Sequence, residues 1–332
     1  MKRVGIVGAG GIGRWHAERW RKLPVELVGF YDIVPTAAQS MAQDFGARAY
    51  DSLGSLLANV DIVDICCQTD AHKEGVLAAA AAGVAIVCEK PLARHVEDCE
   101  EMIAACEAGG VPLFVAQVVR FFPQFAQAKN VLDAGSIGKP GFYRSVRAGS
   151  PPYSGSRKWF MDFEKSGGVI MDVGIHDIDF ARWCMGEVER VFTRGLTFDN
   201  DSDVDHALLS LRCRSGAIGH IECSWAHPKG QFVTRVEIAG QAGLLEWDSR
   251  VGSPLKSAVL QEGHVTRTSS SPLAEEDDPY YRELAHFLEC LENDTPFLVT
   301  PHDGLMAVKV SLAAIESMRR GQPVTIADEV TL

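Results

Sequence analysis

From residue 1 to about 118 the apolar positions fall in short continuous runs separated by longer amphipathic stretches. VGIVG (4–8), ELVGFY (26–31), DIVDICC (61–67), VAIVC (84–88) and VPLFVA (111–116) have the length and β-branched content of strands, and their near-continuous apolarity suits a parallel sheet covered on both faces. Helical patterns lie between them over 12–22, 36–44, 52–58, an Ala-rich 72–82 and 96–108, with a short strand near 47–50. This alternation predicts a doubly wound α/β domain.

Beyond 118 the pattern changes. GFYRSVRA (141–148), VFTRGLTF (191–198), DHALLSLRC (205–213), AIGHIECSWA (217–226), FVTRVEIAG (232–240) and GLLEWD (243–248) read as strands. No long helix separates the last four, which predicts antiparallel pairing. Helical segments at about 279–292 and 302–320 close the chain, and SSSPLAEEDDP (269–279) reads as an exposed loop. The expected fold is α/β: an N-terminal doubly wound Rossmann domain over 1–118, then a C-terminal α+β domain over 119–332 built on a mostly antiparallel open sheet. The second domain is expected to bind substrate and to oligomerise. Adjacent apolar residues such as Leu208 and Leu209 point to both faces of its sheet, so an uncovered face would form the interface of a homodimer or homotetramer.

Charge narrows the partners. A net charge of −12 argues against nucleic acid, whose binding needs a surplus of Lys and Arg. The nine cysteines contain no C-x-x-C pair, and an odd, scattered set fits free thiols in a reducing cytoplasm. The longest uncharged run, Gly75 to Cys88, is 14 residues, too short to span a bilayer. Lys2 and Arg3 precede an apolar stretch as in a signal peptide, but five glycines between Gly5 and Gly13 make that stretch a strand and turn instead.

Gly8-Ala9-Gly10-Gly11-Ile12-Gly13 is G-x-G-x-x-G between a strand and a helix. In that pattern the first glycine permits a tight turn and the second lets the backbone approach a pyrophosphate. The third brings the helix close to the strand, its N–H groups aimed at the phosphates. The pattern alone is weak, because a structural turn looks the same. Asp32, 19 residues beyond Gly13 at the end of the second strand, suits a carboxylate that accepts hydrogen bonds from the adenosine ribose. Such a carboxylate repels a 2′-phosphate, and Ile33 and Val34 supply no cation, so NAD is expected over NADP. Arg14 or Arg48, folded nearby, would weaken that expectation.

At Glu89-Lys90-Pro91, directly after the fifth strand, the chain starts to resemble the Gfo/Idh/MocA oxidoreductases. The likeness runs through DIVDICCQTDAHKEGVLAAAAAGVAIVCEKPLA, RFFPQF…GSIGKPGF, SGGVIMDVGIHDIDFARWCMG and PFLVTPHDGLMAVKVSLAAIESMRRGQPV. It implies an NAD(P)-dependent enzyme acting on sugars, polyols and related alcohols, with the family's catalytic Lys, Asp and His falling on Lys90, Asp172 and His176. Where the family often has Thr-Pro or Ser-Pro after the fourth strand, this chain has Cys67-Gln68, in a loop expected to touch the cofactor ribose. Glu89, Lys90, His72 and Gln117, at or near strand ends, are the further expected cofactor neighbours.

Oxidising a secondary alcohol with NAD requires an acceptor for the hydroxyl proton as hydride leaves carbon. His176 suits that task, because imidazole titrates near neutral pH. Asp172, four residues earlier, would share its helix face, orienting the imidazole or binding a second hydroxyl, while the Lys90 ammonium would stabilise a developing alkoxide. On the residues alone the plainer readings lead: Lys90 as a solvated loop residue, Asp172 as a cap and His176 as core. Asp172, His176 and Asp179 are also metal-ligand types, but Asp179 is seven residues from Asp172 and Lys90 would compete with a cation, so no metal is expected. Arg147 and Trp159 flank the Gly/Ser/Pro-rich loop AGSPPYSGSRK; they contact a sugar there or serve as ordinary surface or core residues. Two other functions remain open on the sequence: an NAD-dependent glycosidase working by transient oxidation, and a non-enzymatic NAD-binding regulator.

Overall fold

The computed structural model describes residues 1–150, 159–197, 204–251, 255–261, 264–270 and 278–326. The chain opens β1 (Lys2–Val7), α1 (Gly11–Trp20), β2 (Val25–Tyr31), α2 (Pro35–Phe45), β3 (Arg48–Ala49), α3 (Leu53–Leu57), β4 (Ile62–Ile65), α4 (His72–Ala82), β5 (Ala85–Glu89), α5 (Val96–Gly109) and β6 (Leu113–Ala116). The strands form one parallel sheet in the order β3-β2-β1-β4-β5-β6, the doubly wound arrangement whose order reverses between β1 and β4. Every residue of β4, β5 and β6 is buried, as their sequence, apolar but for Asp64 and Glu89, requires.

There follow α6 (Pro123–Asp133), β7 (Pro140–Gly149), α7 (Phe163–Ser166), α8 (Ile175–Met185), β8 (Val188–Leu196), β9 (His206–Cys213), β10 (Ile218–Ser224), β11 (Phe232–Gly240), β12 (Gly243–Asp248), β13 (Leu255–Gln261) and β14 (His264–Ser270). The chain then forms α9 (Pro279–Asn293), α10 (Pro301–Arg320) and β15 (Val324–Thr325). The second sheet has nine strands, in the order β14-β13-β12-β11-β7-β10-β9-β8-β15. All neighbours are antiparallel except β7 and β10, so the sheet is mostly antiparallel, as its strand-dense sequence implies. β13 and β14 were not expected. The loop expected over 269–279 begins inside β14, and its central part lies outside the described residues. β9 alternates buried and open positions, with Leu209 1% exposed and Leu208 51%; one face of the sheet is covered and the other open.

The chain divides into two compact units, Met1–Phe121 with Glu275–Met306, and Phe122–Ala274 with Ala307–Leu332. A single boundary at 118 therefore misplaces residues 275–306, which return to the first unit. The reason is packing that no local pattern announces. Asp278 caps α9 by accepting the Tyr280 and Tyr281 N–H groups, and it also pairs with Arg19 of α1 at 2.7 Å. Phe287 is fully buried and meets Trp20 and Phe114 edge-on or tilted, with ring centroids 6.4 and 5.7 Å away. A buried aromatic of this kind contributes roughly 1.5–3 kcal/mol, which is enough to fix where the amphipathic α9 docks. No helix among the described residues is long and apolar enough to cross a membrane.

Candidate active site

The glycine-rich loop sits between β1 and α1, and each glycine of the pattern has a distinct reason. Gly8 has φ +101°, and a Cβ there would lie 2.7 Å from the Cys66 carbonyl carbon and the Cys67 nitrogen. A Cβ on Gly13 would fall 2.0 Å from the Gly8 oxygen. At Gly10 a Cβ would meet no protein atom within 4 Å; the fold does not require glycine there, and the open space suits a pyrophosphate pressed against the backbone. Gly10 is also the N-cap of α1. No side chain caps that end and no acid occupies its first turn, so the N–H groups of Gly11, Ile12 and Gly13 are left for an anion.

Asp32 is anchored to this loop. Its Oδ2 accepts the Ala9 N–H at 2.7 Å and its Oδ1 accepts the Val34 N–H at 2.8 Å. Ile33 beside it is 82% exposed. The two cations that threatened the coenzyme assignment are directed elsewhere: Arg14 pairs with Asp44 at 2.5 Å, and Arg48 lies over the Tyr50 ring at 4.8 Å. These residues fit a dinucleotide with a free ribose diol better than one carrying a 2′-phosphate.

After β4 and β5 the loops are held by their own side chains. His72 is buried, with Nδ1 2.9 Å from the Pro91 carbonyl and Nε2 3.2 Å from the Cys67 carbonyl. Burial holds its pKa below the ordinary histidine value; the neutral ring donates to only one of these carbonyls and packs between the Cys67-Gln68 and Lys90-Pro91 loops. It is a brace for the cofactor loops. Cys67 is half-buried, its thiol pushed up to about 12 by burial, so it is no thiolate nucleophile. Glu89 is turned inward, its Oε2 accepting the Lys90 backbone N–H at 3.0 Å. Gln117, at the end of β6, is fully buried with neither amide atom hydrogen-bonded, an unusual expense for a core side chain.

In the second unit the stretch Ser166 to Arg182 is buried at every position except two, Asp172 and His176. Asp172 lies in a π-helical turn, Ile170–Gly174, that runs directly into α8. Such wide turns inside helices are frequent at functional sites. The turn packs tightly on β10, since a Cβ on Gly174 would come 3.1 Å from Cys223 Sγ. The other charged groups of the stretch are consumed in the core. Asp177 pairs with Arg147 at 2.6 Å and accepts a long bond from the Tyr143 hydroxyl; Asp179 lies 4.0 Å from Arg182.

Arg147 is thus 5% exposed and committed to Asp177, a core ion pair and not a group presented to substrate. Trp159 is half-buried and stacks on Phe160, centroids 4.0 Å apart at 26°. The loop residues 151–158 expected to fold over the site lie outside the described residues.

Residues 2–117 match the oxidoreductase family with an NAD-binding Rossmann fold, and residues 125–246 match the Gfo/Idh/MocA C-terminal domain. The chain belongs to the Gfo/Idh/MocA oxidoreductase family. Myo-inositol 2-dehydrogenase of Thermotoga maritima is 32% identical over 99% of both chains. The NAD(+)-dependent scyllo-inositol 2-dehydrogenase of Bacillus subtilis is 31% identical over 98% of this chain and 96% of its own. Among solved structures, a probable dehydrogenase of Thermotoga maritima superposes with a TM-score of 0.82 at 31% identity, covering 98% of this chain and 99% of that one. A Gfo/Idh/MocA protein with this glycine-rich loop and these relatives is an NAD-dependent dehydrogenase of the sugar and polyol class.

The first unit also holds a buried charge cluster that no motif in the sequence announces. His16 of α1 is fully buried, with Nδ1 2.9 Å from Asp64 Oδ2 and Nε2 3.1 Å from Glu89 Oε1. Asp64 also accepts from the Trp20 indole at 2.7 Å and the Cys66 thiol at 3.2 Å. His16, Asp64 and Cys66 have metal-ligand character, but their donor atoms are hydrogen-bonded to one another, so protons join them. The available signal was Asp64 itself, an acid in the middle of the DIVDICC run of a doubly covered strand, where a buried charge demands a partner.

Proposed function

We propose that the protein transfers hydride between NAD and a secondary hydroxyl of a sugar, polyol or inositol-type substrate, with His176 as proton acceptor and Lys90 and Asp172 assisting. The observation that carries this reading is the exposure pattern of residues 166–182: Asp172 and His176 alone are presented, and they are the family's acid and imidazole positions. Arg147 and Trp159 are not needed for it.

When bound, nicotinamide supplies the hydride acceptor at the substrate carbon. His176 takes the hydroxyl proton as the carbon–hydrogen bond breaks. Lys90 opposes the negative charge that builds on the substrate oxygen. Asp172 orients the imidazole or holds a neighbouring hydroxyl. Gly10, the N-terminus of α1 and Asp32 bind the dinucleotide, with Cys67, Gln68 and Gln117 beside the same cofactor. A panel of inositols, polyols and aldoses, read by NADH formation, tests the activity; no turnover of any member would overturn it. Net accumulation of NADH also separates a dehydrogenase from a glycosidase that returns the hydride, and any turnover separates it from a regulator.

NAD is preferred to NADP in this reading. Asp32→Ser combined with Ile33→Arg should raise the NADP-to-NAD ratio of kcat/KM about tenfold, equivalent to about 1.4 kcal/mol; equal use of both coenzymes by the parent would count against Asp32. A homodimer or homotetramer forms through the open sheet face, where Leu196, Leu208 and Ile218 are each about half exposed among charged neighbours. A monomeric mass in light scattering would refute it. The protein works in the cytoplasm, a placement supported by nine free thiols.

A further inference from the structure

We propose that His16 is a positioning residue for Lys90, acting through Glu89, so that the helix behind the glycine-rich loop sets where the lysine stands. This rests on the reading of Lys90 as a group that touches substrate. Four links carry it: Asp64 to His16 at 2.9 Å, His16 to Glu89 at 3.1 Å, Glu89 to the Lys90 backbone N–H at 3.0 Å, and the peptide itself to the lysine side chain.

The geometry is specific. Nδ1 of His16 is hydrogen-bonded to Asp64, while Nε2 lies 3.1 Å from Glu89 Oε1 without the alignment of a hydrogen bond, and two carboxylates set against one buried ring suit an imidazolium. Burial opposes the charge, but the Asp64 carboxylate hydrogen-bonded to the ring favours it, and the His16 pKa stands well above the ordinary value. Glu89 has one oxygen against His16 and the other on the Lys90 N–H, so its carboxylate cannot rotate without losing a contact. On the far side of Lys90, His72 holds the Pro91 carbonyl at 2.9 Å. The lysine's backbone is therefore gripped from before and after.

Stability alone does not account for this network. Each buried ion costs several kcal/mol, and well-packed apolar residues replace buried ion pairs without loss in many proteins. The surrounding strands β4 and β5 are otherwise almost wholly apolar. What the charges add is a fixed distance between two elements. His16 lies on α1, whose first residue, Gly11, belongs to the loop that receives the pyrophosphate. Cofactor seated at that helix end and Lys90 at the end of β5 are thereby referred to the same rigid ten-residue element.

The test is a double-mutant cycle on the best alcohol of the panel, with NAD affinity measured alongside by tryptophan fluorescence. His16→Gln should lower kcat by about 10- to 100-fold, the scale of a misplaced catalytic group, with NAD affinity nearly unchanged. In a Lys90→Ala background the same substitution should cost almost nothing further. Equal penalties in both backgrounds would show that His16 supports the fold at large and overturn the proposal. Near-normal turnover of Lys90→Ala alone would overturn the catalytic reading of Lys90 instead. A readout free of substrate and of His16 itself is the Lys90 amide resonance in 15N-lysine-labelled protein, assigned by its loss in Lys90→Arg. Asp64→Asn, three links away, should move that resonance; an unmoved signal would break the relay.

Discussion

The two units bury charge in opposite ways. In the second, the buried acids of α8 each lie by a guanidinium: Asp177 pairs with Arg147 at 2.6 Å, and Asp179 is 4.0 Å from Arg182, whose closer partner is Glu187 at 2.5 Å. In the first, three buried acids, Asp64, Glu89 and Glu283, have the imidazole of His16 as their common charged neighbour. Matched pairs fix both the geometry and the proton count. Among acids that outnumber their cation, burial together with Glu89 pushes the Glu283 carboxyl well above its ordinary range, so the first unit's interior holds a carboxyl whose charge depends on pH. With Asp177 paired in the core, Asp172 and His176 are the two positions of residues 166–182 that are not buried.

The largest expected effect tests that presentation. His176→Ala should depress turnover by about 10²–10⁴-fold, the usual contribution of a general base, while NAD binding, a property of the first unit, stays near the parent value. Turnover close to normal would place the proton acceptor elsewhere. Asp172→Asn should be milder if the carboxylate orients the imidazole and comparably severe if it holds a substrate hydroxyl. Next in size comes the matched pair. Arg147→Met strands Asp177 in the core and should destabilise the protein by about 3–5 kcal/mol, read as a lowered urea midpoint. A loss well under 1 kcal/mol would mean that Asp177 does not rely on its guanidinium, and the contrast between the units would weaken.

Much of this architecture is legible in the sequence because it is written in local periods. Strand-length apolar runs, the glycine spacing at 8–13 and Asp32 each report a short-range constraint, and the fold follows from them. The proposed roles of Lys90, Asp172 and His176 come only from likeness to a family, since nothing local distinguishes a solvent-facing histidine from a core one. The commitment of Arg147 to Asp177 was invisible for the same reason: the two are 30 residues apart and meet only when β7 packs on α8. The return of 275–306 to the first unit depends on Phe287 and Asp278 finding Trp20 and Arg19, contacts that span the whole chain. The π turn at Ile170–Gly174 has no composition signal, so four-residue spacing suggested an ordinary helical face for Asp172 and His176.

The smallest expected effect concerns the unmatched acid. Glu283 is fully buried, neither carboxylate oxygen has a hydrogen-bond partner, and burial together with Glu89 pushes its pKa well above the ordinary 4.5. A carboxyl raised in the folded state keeps its proton after the unfolded chain has released its own. Glu283 therefore costs no stability below the ordinary carboxylate range, and an increasing amount as pH climbs towards the raised value. The slope is about 1.4 kcal/mol per pH unit at most. His16 is raised too, so it also favours the folded state less as pH climbs, but its loss begins only above the ordinary histidine value of 6.5. Between those two values Glu283 acts with little interference from His16. Glu283→Gln removes the titrating proton while keeping shape and donor, so its stability relative to the parent should improve steadily across that window in urea melts. A difference that stayed flat with pH would mean that Glu283 is ionised in the folded protein, and that the first unit balances its buried acids as completely as the second does.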